Sequence, residues 1–198
     1  SSLKYAGDAV GGVIIAETSK EKLLDSIYGN VTTNLQSNGR GGGISTDYTK
    51  TYSSGWYYKF QGTLKRIGDF DTPNYVMTNT GFSEHNLSLK AGLNRIDHGF
   101  DVYYSLFSNY LGILRSSHAH TAIDIINAIE NEVPHIIEDF SYDINIPRQK
   151  ISHNLLKLRG FKNFDFGKLS VRYDFQSNDR KEYDIRRGDR TKPALDLN

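Results

Sequence analysis

Residues 56–66 read WYYKFQGTLKR. Trp56, Tyr58, Phe60, Gly62 and Leu64 fall on one parity; Tyr57, Lys59, Gln61, Thr63 and Lys65 fall on the other. A strand turns successive side chains to opposite faces, so one face of this stretch is oily and the other is polar and cationic. The oily face opens on aromatics, as expected where a strand crosses a membrane boundary. Arg66 breaks the parity at the strand end, where a long side chain can carry its charge out to an interface.

The alternation recurs along the chain. Residues 30–37 and 43–50 are strand candidates around Asn38-Gly39-Arg40-Gly41-Gly42, and Asn-Gly between strand-like runs signals a hairpin. Residues 67–83 are polar, contain Pro73 and read as a long loop. In 84–96, Leu87, Leu89, Ala91 and Leu93 share one parity, with Asn86, Ser88, Lys90 and Asn94 on the other. Asp97-His98-Gly99 makes a tight reversal, after which Phe100, Val102, Tyr104 and Leu106 alternate with Asp101, Tyr103 and Ser105.

Residues 111–148 interrupt the pattern. Thr121-Ala122-Ile123-Asp124 opens a helical stretch, Ile125, Ile126 and Ile129 recur near helical spacing, and Pro134 stops it. A loop this long with its own helix is usually functional. Residues 149–159 and 168–176 are the last clear strands. In the second, Leu169, Val171, Tyr173 and Phe175 oppose Ser170, Arg172, Asp174 and Gln176; in the first, adjacent Leu155 and Leu156 leave the register open. The expected fold class is all-β: an antiparallel transmembrane β-barrel segment of about seven strands, with one short helix in a long loop. A soluble sheet with one wet face satisfies the same alternation, and only an exposed apolar band separates the two.

Composition sets the outer limits. The 198 residues carry 24 Lys plus Arg against 23 Asp plus Glu, so charge gives no reason to expect a nucleic-acid partner. There is no cysteine, hence no disulfide framework and no thiolate metal site. Tyr 13, Gly 18 and Pro 4 suit long paired strands with tight turns. No run approaches a membrane-spanning helix. The chain opens on Ser1 and closes on Pro193-Ala194-Leu195-Asp196-Leu197-Asn198, and both ends are expected to continue in a longer protein.

Six histidines invite a metal or metal-chelate reading: His85, His98, His118, His120, His135 and His153. His118 and His120 lie two apart in the long loop, with Arg115, His135, Glu130, Glu132 and Glu138 nearby in sequence. Arg115, His118, His120 and His135 are the candidate ligand-binding residues, set against the plainer reading of a solvated polar loop. No HExxH or thiolate partner accompanies them, and no bound metal or cofactor is expected. A second cluster, 179–190, has Arg180, Arg186, Arg187 and Arg190 among Asp179, Glu182, Asp184 and Asp189. It could grip an anion, but mutual ion pairing is the favoured reading. No Ser, His or carboxylate set has a catalytic spacing, so no enzyme is expected.

Three stretches carry a family resemblance. Residues 3–14, LKYAGDAVGGVI, resemble the end of the plug domain of TonB-dependent outer-membrane receptors, with Ala9, Gly11, Gly12, Val13 and Ile14 matching and Ala6 where the family often has glycine. Arg115-Ser116-Ser117-His118, the short helix and Phe140-Ser141-Tyr142 resemble a recurring region of the Bacteroidetes-type members, with Ser116 in place of a glycine. Gln176, Asn178, Arg180–Asp184 and Arg186–Gly188, followed by Pro-Ala-Leu-Asp-Leu, resemble the matching barrel segment of that group.

The resemblance implies a plug end at 1–16, a linker at 17–29 and the first part of a β-barrel at 30–198, with extracellular loops 67–83 and 111–148. It implies energy-coupled uptake across the bacterial outer membrane of a metal chelate such as a siderophore or haem, or a similar nutrient. The implied partners are the TonB complex, acting through an upstream part, and outer-membrane lipid. The alternative is a soluble all-β binding module whose loops form the recognition surface.

Overall fold

A computed structural model of the chain describes residues 24–117, 122–131, 133–134, 136–184 and 192–197. The expected plug end at 1–16 and most of the expected linker lie outside them. The elements are β1 (Ser26–Gln36), β2 (Gly41–Thr51), β3 (Trp56–Ile67), β4 (Phe70–Asp71), β5 (Val76–Met77), β6 (Phe82–Asn94), β7 (His98–Gly112), a 3-10 turn (Arg115–Ser117), α1 (Ala122–Glu130), β8 (Arg148–Phe164), β9 (Gly167–Tyr183) and β10 (Leu195–Leu197). Eight strands form one antiparallel sheet in the order β1-β2-β3-β6-β7-β8-β9-β10, and β4–β5 is a separate small hairpin. The ends of the large sheet do not meet, so it is an open sheet.

Several expected boundaries move. β1 starts at Ser26, inside the stretch expected to be linker. The expected loop 67–83 loses both ends to strands and is itself ordered around β4–β5. β9 runs on to Tyr183, into the charged tail. That tail stays extended because it pairs residue by residue with β8 as far as Tyr183, and its charges pair along the strand: Arg180 with Glu182 at 2.5 Å and Lys181 with Asp179 at 3.2 Å, each two residues apart and therefore on one face. The pairing reading of this cluster thus holds for its described part; 185–190 lie outside the described residues. The hairpin at Asn38-Gly39 forms as expected. Gly39 turns at φ +81°, where a side chain would strike Ile67, and Arg40 follows at φ +44°.

Pairing is one-to-one along every strand, so side chains line up in continuous rows. Tyr48, Phe60, Leu89, Tyr104, Leu156 and Phe175 form one row on one face. Their sequence neighbours Asp47, Gln61, Ser88, Ser105, Leu155 and Gln176 form the row on the other. This settles β8: Leu156 joins the apolar face and Leu155 the polar one.

The apolar face is uncovered. Tyr58 and Leu89 are each 47% exposed and Val171 is 64% exposed. Among the described residues, neither a helix nor a second sheet packs over the large sheet, and Tyr57 and Ile67 are the only buried hydrophobic side chains. The polar face carries a shallow hollow lined by Gln61, Thr63, Asn86, Ser88, Tyr103 and Phe107.

Candidate functional site

The strands run up and down in turn, so their connections segregate to two ends. Residues 52–55, 95–97 and 165–166 are tight turns at one end. At the other end lie the 37–40 turn and the two long connections, 68–81 and 113–147. Three of the buried polar side chains, Asp69, Thr78 and Asn79, lie at that second end, where they tie the long connections into a cap.

Three residues of the first connection make the ties. Asp69 (2% exposed) accepts the Thr80 amide at 2.8 Å through one carboxylate oxygen and the Ser141 amide at 3.3 Å through the other. Its own amide donates to the Ser141 carbonyl at 2.9 Å. Thr78 accepts the Glu138 amide at 2.9 Å on its hydroxyl, and its carbonyl accepts the Arg115 amide at 3.2 Å. Asn79 sits at φ +66°, a region Asn tolerates better than most residues. Its Nδ2 donates to the carbonyls of Ile113 (2.8 Å) and Pro147 (2.7 Å), and its Oδ1 accepts the Asn145 amide at 2.7 Å. Buried backbone groups need partners, and here side chains supply what strand pairing cannot.

Above these ties lies a cationic and aromatic surface. The Arg40 guanidinium stands 4.0 Å from the Phe140 ring centre and 3.6 Å from Asp71. Phe140 and Tyr142 meet edge to face at 5.0 Å. Arg66 lies 5.8 Å from the Tyr142 ring and donates to the Tyr142 carbonyl at 3.4 Å. The Tyr142 hydroxyl donates to the Arg40 carbonyl. Arginine against aromatic rings keeps its charge available while its flat face is packed, a surface suited to anionic or aromatic groups.

Of the expected ligand-binding residues, Arg115 lies in the cap on the 3-10 turn, with Nη1 3.0 Å from the Glu138 carboxylate. His118, His120 and His135 lie outside the described residues. Phe140-Ser141-Tyr142, singled out by resemblance, lands at the centre of the cap: its backbone binds Asp69 and its rings carry Arg40 and Arg66. Asp69, Thr78 and Asn79 were not singled out by the sequence reading. Their only sequence signal is Asp, Asn and Thr beside glycine in a long connection, which marks turns in general.

No protein-family model, curated protein or solved structure matches this chain.

Proposed function

We propose that this chain is a transmembrane β-barrel segment of a TonB-dependent receptor in the bacterial outer membrane, serving energy-coupled uptake of a metal chelate such as a siderophore or haem. The observation that carries the membrane part is the uncovered apolar face, backed by a polar one. A soluble sheet turns its oily side to a core; this one leaves Val31, Tyr58, Leu89 and Val171 open. Exposed apolar surface on that scale calls for a hydrocarbon or protein partner. Short turns at one end and long connections at the other fit the asymmetry of outer-membrane barrels, whose long loops face outward. The receptor part rests on the sequence resemblances at 3–14, 115–142 and 176–197, and the Arg40, Arg66, Phe140 and Tyr142 surface would meet the ligand first.

Two measurements on cells that make the protein test the proposal. Alkaline-carbonate washing of the membranes should leave it in the pellet, extractable only by detergent. Uptake of iron-55 as a ferric chelate or haem should stop when the proton gradient is collapsed. Recovery in the carbonate supernatant would remove the membrane reading. Uptake that persists without the gradient would remove the TonB reading alone.

A further inference from the structure

The polar face of the large sheet is unevenly charged. From β2 to β9, the row Ser45, Thr63, Asn86, Phe107, His153 and Asn178 holds no carboxylate, lysine or arginine. The next row away from the cap, Asp47, Gln61, Ser88, Ser105, Leu155 and Gln176, holds one charge, Asp47. The two rows below differ sharply. One is Thr49, Lys59, Lys90, Tyr103, Lys157 and Asp174; the other is Thr51, Tyr57, Gly92, Asp101, Arg159 and Arg172. Together they set five cations against two carboxylates, at the end of the face nearer the tight turns.

The pairing register sharpens this excess. Lys59 stands directly opposite Lys90, and Arg159 directly opposite Arg172. Like charges directly opposite one another destabilise a sheet. The two carboxylates ease only one member of each pair: Asp101 lies 4.0 Å from Lys90, and Asp174 bonds Arg172. Lys157 lies between the two pairs on β8. Tyrosine rings steady the two inner lysines, with Lys90 at 5.2 Å from the Tyr57 ring and Lys157 at 6.0 Å from that of Tyr103. A lysine held against a ring keeps its ammonium available. Arg159 and Arg172 are exposed, and Lys59 and Lys157 are half-buried, so these heads are open to a solute on the polar side. A sequence that breaks a local pairing rule twice in neighbouring rows marks a functional surface rather than a structural one.

We infer that these two rows form a binding site for a small solute carrying several oxyanion groups, phosphate or carboxylate. The anion supplies the charge that the sheet itself lacks. The Arg159–Arg172 pair offers planar forks that suit two-point contact with an oxyanion, and the lysines act as point charges. The two like-charge pairs stand three strand spacings apart, about 14 Å, with Lys157 between them. A solute with several anionic groups therefore engages more of the patch than a single phosphate does. The site is separate from the Arg40, Arg66, Phe140 and Tyr142 surface, which lies at the opposite end of the strands. It needs only the polar face and its charges, so it stands whether the apolar face meets lipid or protein.

Calorimetric titration of the purified full chain tests the site. The probes are inositol hexakisphosphate, citrate and inorganic phosphate, with myo-inositol as the uncharged control. Saturable binding of the hexakisphosphate or of citrate, tighter than that of inorganic phosphate and absent for myo-inositol, is the expected result. Lys157→Gln and Arg159→Gln should each weaken it about tenfold, the scale of one charge-assisted hydrogen bond. Asp101→Asn should tighten it. Lys65→Gln, which removes a cation of the same face nearer the cap, should leave it unchanged. Thermal melting separates a binding role from a structural one. Arg159→Gln relieves the repulsion with Arg172, so in anion-free buffer it should melt no lower than the parent. No saturable binding of either polyanion would overturn the inference. So would binding that Lys65→Gln weakens as much as Arg159→Gln does, or an Arg159→Gln variant that melts lower while binding as tightly as the parent.

Discussion

Asn79→Ala should release the cap while leaving the sheet intact. The substitution removes every side-chain bond that Asn79 makes. The Pro147 carbonyl keeps a partner, the Ile113 amide at 3.0 Å. The Ile113 carbonyl and the Asn145 amide lose the Asn79 partners they have at 2.8 and 2.7 Å. Two part-buried backbone groups left unpaired cost at most about 1–3 kcal/mol each. Alanine at φ +66° adds about 1 kcal/mol that asparagine largely avoids. Water entering the opened site offsets part of this, so roughly 3 kcal/mol of local stability should go. Asn79→Gly separates the terms, because it loses the bonds without the backbone penalty and should fall short of the alanine effect by about 1 kcal/mol. The assay is hydrogen exchange on detergent-solubilised protein. The Asn145 amide should exchange about a hundredfold faster in Asn79→Ala, with amides in the middle of β3, β6 and β7 unchanged. An Asn145 amide as slow as in the parent, or a uniform acceleration across the sheet, would refute the assignment of Asn79 as the tie between the two connections.

Three further outcomes are expected. Leu89→Lys should cost roughly 2–4 kcal/mol of membrane stability, whereas Gln61→Lys on the adjacent parity should cost little; urea titration in liposomes compares them. Arg115→Ala should change stability by less than about 1 kcal/mol, since its Glu138 pair is exposed, yet should raise the KM for uptake of an anionic chelate. The His98 ring bonded to Asp97 holds that carboxyl below its ordinary value of 3.8. A lowered carboxylate stabilises above its unfolded pKa and loses that contribution as pH falls through the folded one, so the 95–97 turn should hold from neutrality to about pH 4 and loosen only in stronger acid; exchange at the Arg95 and Asn163 amides, both bonded within this turn, reports it.

The strands were legible because alternation is a local property: Trp56 to Leu64 and Leu169 to Phe175 state their faces without reference to any partner. What the sequence could not state was anything fixed by a neighbour. Leu155 and Leu156 are equivalent in the sequence and become distinct only when Leu156 lines up with Tyr104 and Phe175. The upper part of β9 reads as a charged loop until Arg180 and Glu182 are seen to share one face beside β8, where Gln149 also reaches Glu182 at 2.6 Å. The cap was the least legible part. Asp69 and Asn79 act on backbone groups dozens of residues away, and no spacing rule links an asparagine to the carbonyls of Ile113 and Pro147.

The two-faced sheet constrains more than its environment. If hydrocarbon lies against Phe60 and Leu89, it cannot also lie against Gln61, Lys90 and Asp101, so the polar face must border water or another polar surface. The two sides of the sheet then belong to different solvents, and a sheet separating two solvents cannot end in an open edge. Among the described residues, β1 has its full length, Ser26–Gln36, paired on the β2 side only, and β9 is covered by β10 only at Arg180, Lys181 and Glu182. Each backbone N–H or C=O left open in lipid costs several kcal/mol. The membrane reading therefore requires further strands against β1 and against the lower part of β9. Amides of β9 around Val171 and Tyr173 should accordingly be as slow to exchange as those of β6 in native membranes. Fast exchange there, with β6 protected, would mean that the edge stays open and that the closed barrel is the wrong picture.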